Sequence, residues 1–186
     1  MMAKDTTAEL EHVLQLAELL HDPAAVRLAL DRMAAAITTE LADAHPVVLC
    51  VLTGGIIPTG HLLTRLTFPL EIDYLHATRY RGATQGEHVQ WVCRPETDLH
   101  DRTVLVVDDI LDEGHTLADV LAFCRDAGAS QVYSAVLVEK QHERRADAVT
   151  ADFVGLSVED RYVFGFGMDY KGHFRNLDGI YAVAER

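Results

Sequence analysis

Apolar residues in this chain follow a helical spacing near the start and form short unbroken runs through the middle. From Thr6 or Thr7 to Leu20, the residues Leu10, Val13, Leu14, Ala17 and Leu20 recur at helical spacing, which predicts an amphipathic helix. His21-Asp22-Pro23 interrupts it, with Asp22 placed to cap and Pro23 at a first helical position, where its missing N–H costs nothing. A second helix is expected from Pro23 to about Ala44, with Val26, Leu30, Met33, Ile37 and Leu41 on its buried face. Pro46 then introduces Val47–Leu52, an apolar run without alternation, as expected of a strand covered on both faces.

Thr53-Gly54-Gly55 turns the chain into an apolar helix ending near Leu66, and Leu70–Ala77 reads as a second strand. Residues 78–87 (TRYRGATQGE) carry two glycines and no apolar period, so a long loop is expected, leading into a strand at His88–Cys93. Val104–Val107 is a further buried strand, followed by a helix from about His115 to Ala127 that Gly128 closes. Gln131–Val138 is another, ending in Glu139-Lys140, and short strands follow near Phe153–Leu156, Tyr162–Phe164 and Ile180–Val183. Strands alternating with helices predict a three-layer α/β/α fold around a mainly parallel central sheet. No internal repeat or linker divides the chain, so one domain spanning residues 1–186 is expected.

The chemistry concentrates in Val104–Leu117, VLVVDDILDEGHTL. A buried strand runs into Asp108 and Asp109, and a loop with Asp112, Glu113, Gly114, His115 and Thr116 opens a helix. Ligands of open α/β sheets bind beyond the carboxyl ends of such strands. A glycine loop at a helix N-terminus suits a phosphate, and Thr116 adds a hydroxyl donor. Carboxylates repel phosphate, so the acids must face sugar hydroxyls, a magnesium ion or a proton in transit. Together these describe a phosphorylated sugar. A P-loop is excluded, because no glycine turn ends in Gly-Lys-Ser/Thr, and Thr53–Gly60 lacks the glycine spacing of a dinucleotide fold.

The net charge of −13 over 186 residues, with no Lys/Arg cluster, argues against nucleic acid or an anionic membrane as partner. The opening MMAKDTTAEL lacks a signal-peptide core and no stretch reaches membrane-spanning length, so a cytoplasmic setting is expected. Cys50, Cys93 and Cys124 have neither metal nor disulfide spacing and fit reduced thiols. The histidines outside the motif show no ligand spacing and read as surface or loop residues.

The segment VLVVDDILDEGHTL resembles the signature of type I phosphoribosyltransferases, and the likeness extends from about Leu49 to Val183. LVEK (137–140), ADFVGL (151–156) and DRYVFGFGMDYKGHFRNL (160–177) are similar to the hypoxanthine-guanine branch. The resemblance implies the fold of that family, with N-terminal helices at about 7–44, a core at about 46–140 and a small base-binding hood from terminal segments, mainly 141–186. It implies purine salvage: transfer of a phosphoribosyl group from phosphoribosyl pyrophosphate to hypoxanthine or guanine, giving IMP or GMP and pyrophosphate, with Mg²⁺ as cofactor. Asp108 and Asp109 would meet the ribose hydroxyls and magnesium, while Glu113, Gly114, His115 and Thr116 would wrap the 5′-phosphate. Asp112 would be the general acid/base toward the purine's imidazole-ring nitrogen. Lys140 would contact the 6-oxygen, Tyr162 would stack on the base, and the backbone of Val163 would read its edge. Asp169 would bind magnesium and help frame the base. Thr53, Gly54, Arg79, Tyr80 and Arg175 would lie on the pyrophosphate side. Gly165 and Gly167 are expected where chain and ligand approach closely. Residues 78–87 are the candidate lid, and a homo-oligomer, dimer or tetramer, is expected.

Three positions depart from the family's usual pattern. Thr53 stands where a basic residue is common, Arg79 replaces a common serine, and His115 a common lysine. Arg79, with Arg81 beside it, is the candidate for the positive charge missing at Thr53. Rival readings are a transferase for another base such as xanthine, adenine or uracil, and a non-catalytic RNA-binding relative, which the acidic charge opposes. A signalling receiver is the third; its acid pair belongs to the first strand of the sheet, whereas Asp108-Asp109 follows three strands.

Overall fold

In the computed structural model, residues 6–79, 89–142, 144 and 149–184 are described. The elements in chain order are α1 (Thr7–Leu16), β1 (Glu18–His21), α2 (Pro23–Leu41), β2 (Val47–Leu52), α3 (Ile56–Leu63), β3 (Glu71–Arg79) and β4 (Val89–Cys93). Then come β5 (Thr103–Leu111), α4 (His115–Asp126), β6 (Gln131–Gln141), β7 (Phe153–Glu159), β8 (Val163–Phe164) and β9 (Ile180–Ala182). Six strands form one sheet in the order β4-β3-β2-β5-β6-β7, parallel except for the antiparallel edge strand β4.

The apolar runs form the centre of this sheet because both of its faces are covered. Along β5, successive side chains alternate between two cores: Leu105 and Val107 pack with α2 residues such as Leu30 and Ile37, whereas Val104 and Val106 pack with Val120 and Cys124 of α4. Helices α2 and α3 therefore cover one face and α4 the other, which makes the three layers. Asp22 caps α2 as its sequence position suggests, accepting a hydrogen bond from the Ala25 amide at 2.8 Å, with Pro23 in the first turn.

A second, antiparallel sheet of order β1-β9-β8 forms a hood from both ends of the chain, around the fully buried Phe164. Its first strand corrects the expected first helix, which stops at Leu16 rather than Leu20. Helix α1 buries no residue, so little holds it past its last turn. Glu18 and Leu19 instead pair with Ala182 and Tyr181, satisfying backbone groups along an edge of β9. Among the described residues, no helix is long and apolar enough to cross a membrane.

The strand order places the site. The chain leaves β2 toward β3 on one side, and leaves β5 toward β6 on the other, so the sheet changes winding direction between β2 and β5. Pairing of β2 with β5 ends at Cys50 opposite Val107, whereas β5 and β6 stay paired as far as Leu111 and Glu139. The two central strands thus part directly before Asp108. A crevice at such a switch point is where open α/β sheets hold ligands.

Candidate functional site

A cleft of about 520 Å³ occupies this crevice. Its walls include Leu52 at the end of β2 and Gly54 after it, residues 108–117, and Asp169 and Arg175 from the segment between β8 and β9. Asp108 and Asp109 do not follow the strand, as the sequence suggested, but lie within β5, which runs on to Leu111. Asp109 is 8% exposed, and its amide donates to Asp108 Oδ1 at 2.8 Å. Burial, and then the neighbouring Asp109 charge, push the Asp108 carboxyl well above its usual range. Burial also raises Asp109, against the lowering effects of its hydrogen bond with Asp108 and of the Arg175 charge.

Two glycines make room for this acid. A β-carbon on Gly54 would overlap the Asp109 carboxyl group. Gly167, at a φ of 107°, lies so close to the Gly54 carbonyl that a β-carbon there would overlap the oxygen, and it would stand 3.2 Å from Asp109 Cβ. Gly165, at a φ of 97°, abuts the Gly179 carbonyl in the same way. Both glycines therefore serve close chain-to-chain approach.

Arg175 ties the C-terminal segment to the cleft floor. Its guanidinium donates to the Gly167 carbonyl at 2.6 Å, pairs with Asp169 Oδ1 at 2.6 Å, and lies 3.8 Å from Asp109 Oδ2. Asp109 and Asp169 thus flank one guanidinium, whose charge is also felt at Asp108. Carboxyl groups held uncomfortably by burial and mutual repulsion, beside an open cleft, are a donor set suited to a hard divalent cation with oxygen ligands.

After β5, Gly114 takes a left-handed conformation at a φ of 85° and starts α4 without a side-chain cap. The first-turn amides, which no helix can satisfy internally, line the cleft beside the half-buried Thr116. Glu113 is exposed, and His115 Nε2 lies 3.9 Å from its carboxylate.

Asp112 has two close partners from β6 and the residue after it. Lys140 Nζ donates to Oδ2 at 2.7 Å, and His142 Nε2 lies 2.7 Å from Oδ1. Strand β6 extends beyond the expected Val138 to Gln141, and its period of two puts Lys140 and His142 on the face toward Asp112. Burial would raise the Asp112 carboxyl, but the hydrogen bonds and charges of Lys140 and His142 prevail and hold it below its usual range. His142 is a loop residue, as expected, but it is not a surface one, because its side chain is only 5% exposed. The alternation Lys-x-His at a strand end was the available signal for it. Asp160 brings a carboxylate within 4.8 Å of the same Asp112 and His142 ligand atoms. Lys140 and Arg144 offset these two acids, Arg144 pairing with Asp160 at 2.6 Å, much as Arg175 offsets Asp169 and Asp109.

Tyr162 precedes β8 in the hood and is half exposed; its hydroxyl donates to the Asp169 carbonyl at 3.2 Å, and its ring meets Tyr170 edge-on. Val163 is buried in β8 opposite Ala182. Thr53 is exposed beside the cleft and does not line it, and the Leu52–Thr53 peptide is cis. Arg79 ends β3, while its side chain, Tyr80, Arg81 and the rest of the expected lid to Glu87 lie outside the described residues.

Comparison with known proteins gives a consistent result. Residues 16–171 match the phosphoribosyl transferase domain. The chain is 31% identical to a hypoxanthine-guanine-xanthine phosphoribosyltransferase of Tritrichomonas foetus over 170 residues, covering 91% of this chain and 93% of that one. It is 33% identical to the hypoxanthine-guanine phosphoribosyltransferase of Bacillus subtilis over 150 residues, covering 80% and 82%. Among solved structures, a hypoxanthine-guanine-xanthine phosphoribosyltransferase superposes with a TM-score of 0.82 at 30% identity, covering 90% of this chain and 97% of its own.

Proposed function

The chain belongs to the phosphoribosyl transferase family, and from that premise we propose that it moves the phosphoribosyl group of phosphoribosyl pyrophosphate onto hypoxanthine or guanine, releasing IMP or GMP and pyrophosphate. The observation that supports this reading most is the Lys140–Asp112 pair, whose Asp112 lines the cleft beside the start of α4. The first-turn amides of α4, with Gly114, His115 and Thr116, cradle the 5′-phosphate, which the helix dipole favours. Asp108 and Asp109 face the ribose hydroxyls.

Asp112, ionised in the free protein, accepts the proton of the purine's imidazole ring. That N–H bond breaks, the nitrogen's electron pair forms the bond to the sugar carbon, and pyrophosphate leaves with the electrons of the old bond. Lys140 donates to the purine 6-oxygen, which adenine replaces with an amino group, so oxopurines are selected. Tyr162, anchored through its hydroxyl, offers its ring to the base, and Val163 its backbone. Thr53, Gly54, Arg79, Tyr80 and Arg175 belong to the pyrophosphate side. Asp108, Asp109 and Asp169 would hold Mg²⁺, which offsets the negative charge gathering on the departing pyrophosphate.

Xanthine is the second base to consider, since the T. foetus relative is named for it. The test is to incubate the protein with phosphoribosyl pyrophosphate, Mg²⁺ and each base in turn, following nucleotide formation. Turnover with hypoxanthine or guanine and none with adenine is expected. No turnover with either oxopurine would sink the proposal.

A further inference from the structure

His142 is the one buried contact of Asp112 that the proposed chemistry leaves without a task. Its ring has a defined proton arrangement. The Arg144 amide donates to Nδ1 at 3.1 Å, so Nδ1 is the acceptor and Nε2 carries the hydrogen that reaches Asp112 Oδ1 at 2.7 Å. The two oxygens of Asp112 are thereby divided, Oδ1 to His142 and Oδ2 to Lys140.

This division matters because Lys140 has a second task. If it swings to the 6-oxygen of an incoming purine, it vacates Oδ2, the oxygen left for the purine's proton. A carboxylate on a loop would then be free to rotate, and general-base efficiency depends on its being held within hydrogen-bond reach of the proton. We propose that His142 is a positioning residue, which keeps Asp112 oriented through Oδ1 while Lys140 is engaged with the base. The inference rests on the transferase reading above. Among the described residues, the other charged groups by this dyad are Asp160 with its partner Arg144, and Glu113 and His115 follow Asp112 along the loop. The Asp160 charge is matched by Arg144, which leaves His142 and Lys140 as the direct donors to Asp112.

The test compares wild type with His142→Leu, which removes the donor, and His142→Gln, which restores an N–H at the end of the side chain. For His142→Leu, kcat should fall on the order of 10-fold, a fraction of what general-base catalysis supplies. KM for phosphoribosyl pyrophosphate should stay within about twofold, because the phosphate cradle is untouched. The acid limb of the kcat–pH profile should move to higher pH, since Asp112 loses a donor that favours its ionised form. His142→Gln should recover most of the rate and return the limb toward its original position. An unchanged kcat in His142→Leu overturns the inference, as does a loss of rate with an unshifted limb that Gln does not repair. Absence of turnover in the wild type would instead overturn the transferase reading itself.

Discussion

Gly54 provides the sharpest test of how the cleft floor is built. Its φ is not positive, so alanine is conformationally acceptable there and any effect must come from the added methyl. That methyl would overlap Asp109 Cγ and Oδ2 and stand 2.9 Å from Oδ1, where ordinary β-carbon contacts begin near 3.4 Å. Asp109 cannot yield easily, because it is 8% exposed and Gly167 packs close to it. Overpacking of a filled site costs about 1–3 kcal/mol. For a chain of this size each kcal/mol lowers Tm by about 2–4 °C, so a fall of about 5 °C is expected. The catalytic effect should be larger, because displacing a ligand-positioning group by about 1 Å costs about 10²-fold. Initial rates with varied phosphoribosyl pyrophosphate and Mg²⁺ should show kcat/KM reduced on that order. Gly60→Ala is the control, as Gly60 lies in α3 with nothing within 4 Å of the added carbon. It should leave the rate unchanged and stabilise the helix by about 0.5–1 kcal/mol. A Gly54→Ala protein with wild-type kcat/KM would refute the packing argument.

Two variants test the acids. Asp112→Asn should reduce kcat by about 10²–10⁴-fold, with substrate binding affected far less, as steady-state and binding measurements can separate. Because Asp112 is held below its ordinary value of 3.8, its favourable contacts are present above that pH and fade as pH falls through the lowered value. The Tm gap between wild type and Asp112→Asn should therefore be steady from neutral pH to about pH 5 and narrow in stronger acid. Asp108→Asn removes one of two adjacent, poorly solvated carboxyl groups, so in chelator-treated protein it should raise Tm while abolishing turnover. A melt showing Asp108→Asn less stable than wild type would contradict the repulsion inferred for this pair.

Much of the fold could be read along the chain because the central strands are buried on both faces and so appear as unbroken apolar runs. Val47–Leu52 matched residue for residue, and the capped start of α2 at Asp22-Pro23 held. Glu18–His21 did not, since its spacing continues that of a helix while its backbone partners lie some 160 positions away in β9. The motif from Asp108 to Thr116 was legible because one strand, one loop and one helix start bring its residues together locally. His142 was not, because its pairing with Asp112 spans 30 positions and depends on how far β6 runs.

By itself, then, the sequence determined the kind of chemistry: acids, a glycine loop and a helix start, assembled within nine residues of Asp108, are local facts of chain geometry. Only the tertiary structure decided how those acids are poised. Sheet order opened the crevice between β2 and β5, the close approach of Gly54 and Gly167 confined Asp109, and the length of β6 brought Lys140 and His142 onto Asp112. Burial and the neighbours met across the fold set a carboxylate's charge state, and no local pattern encodes them.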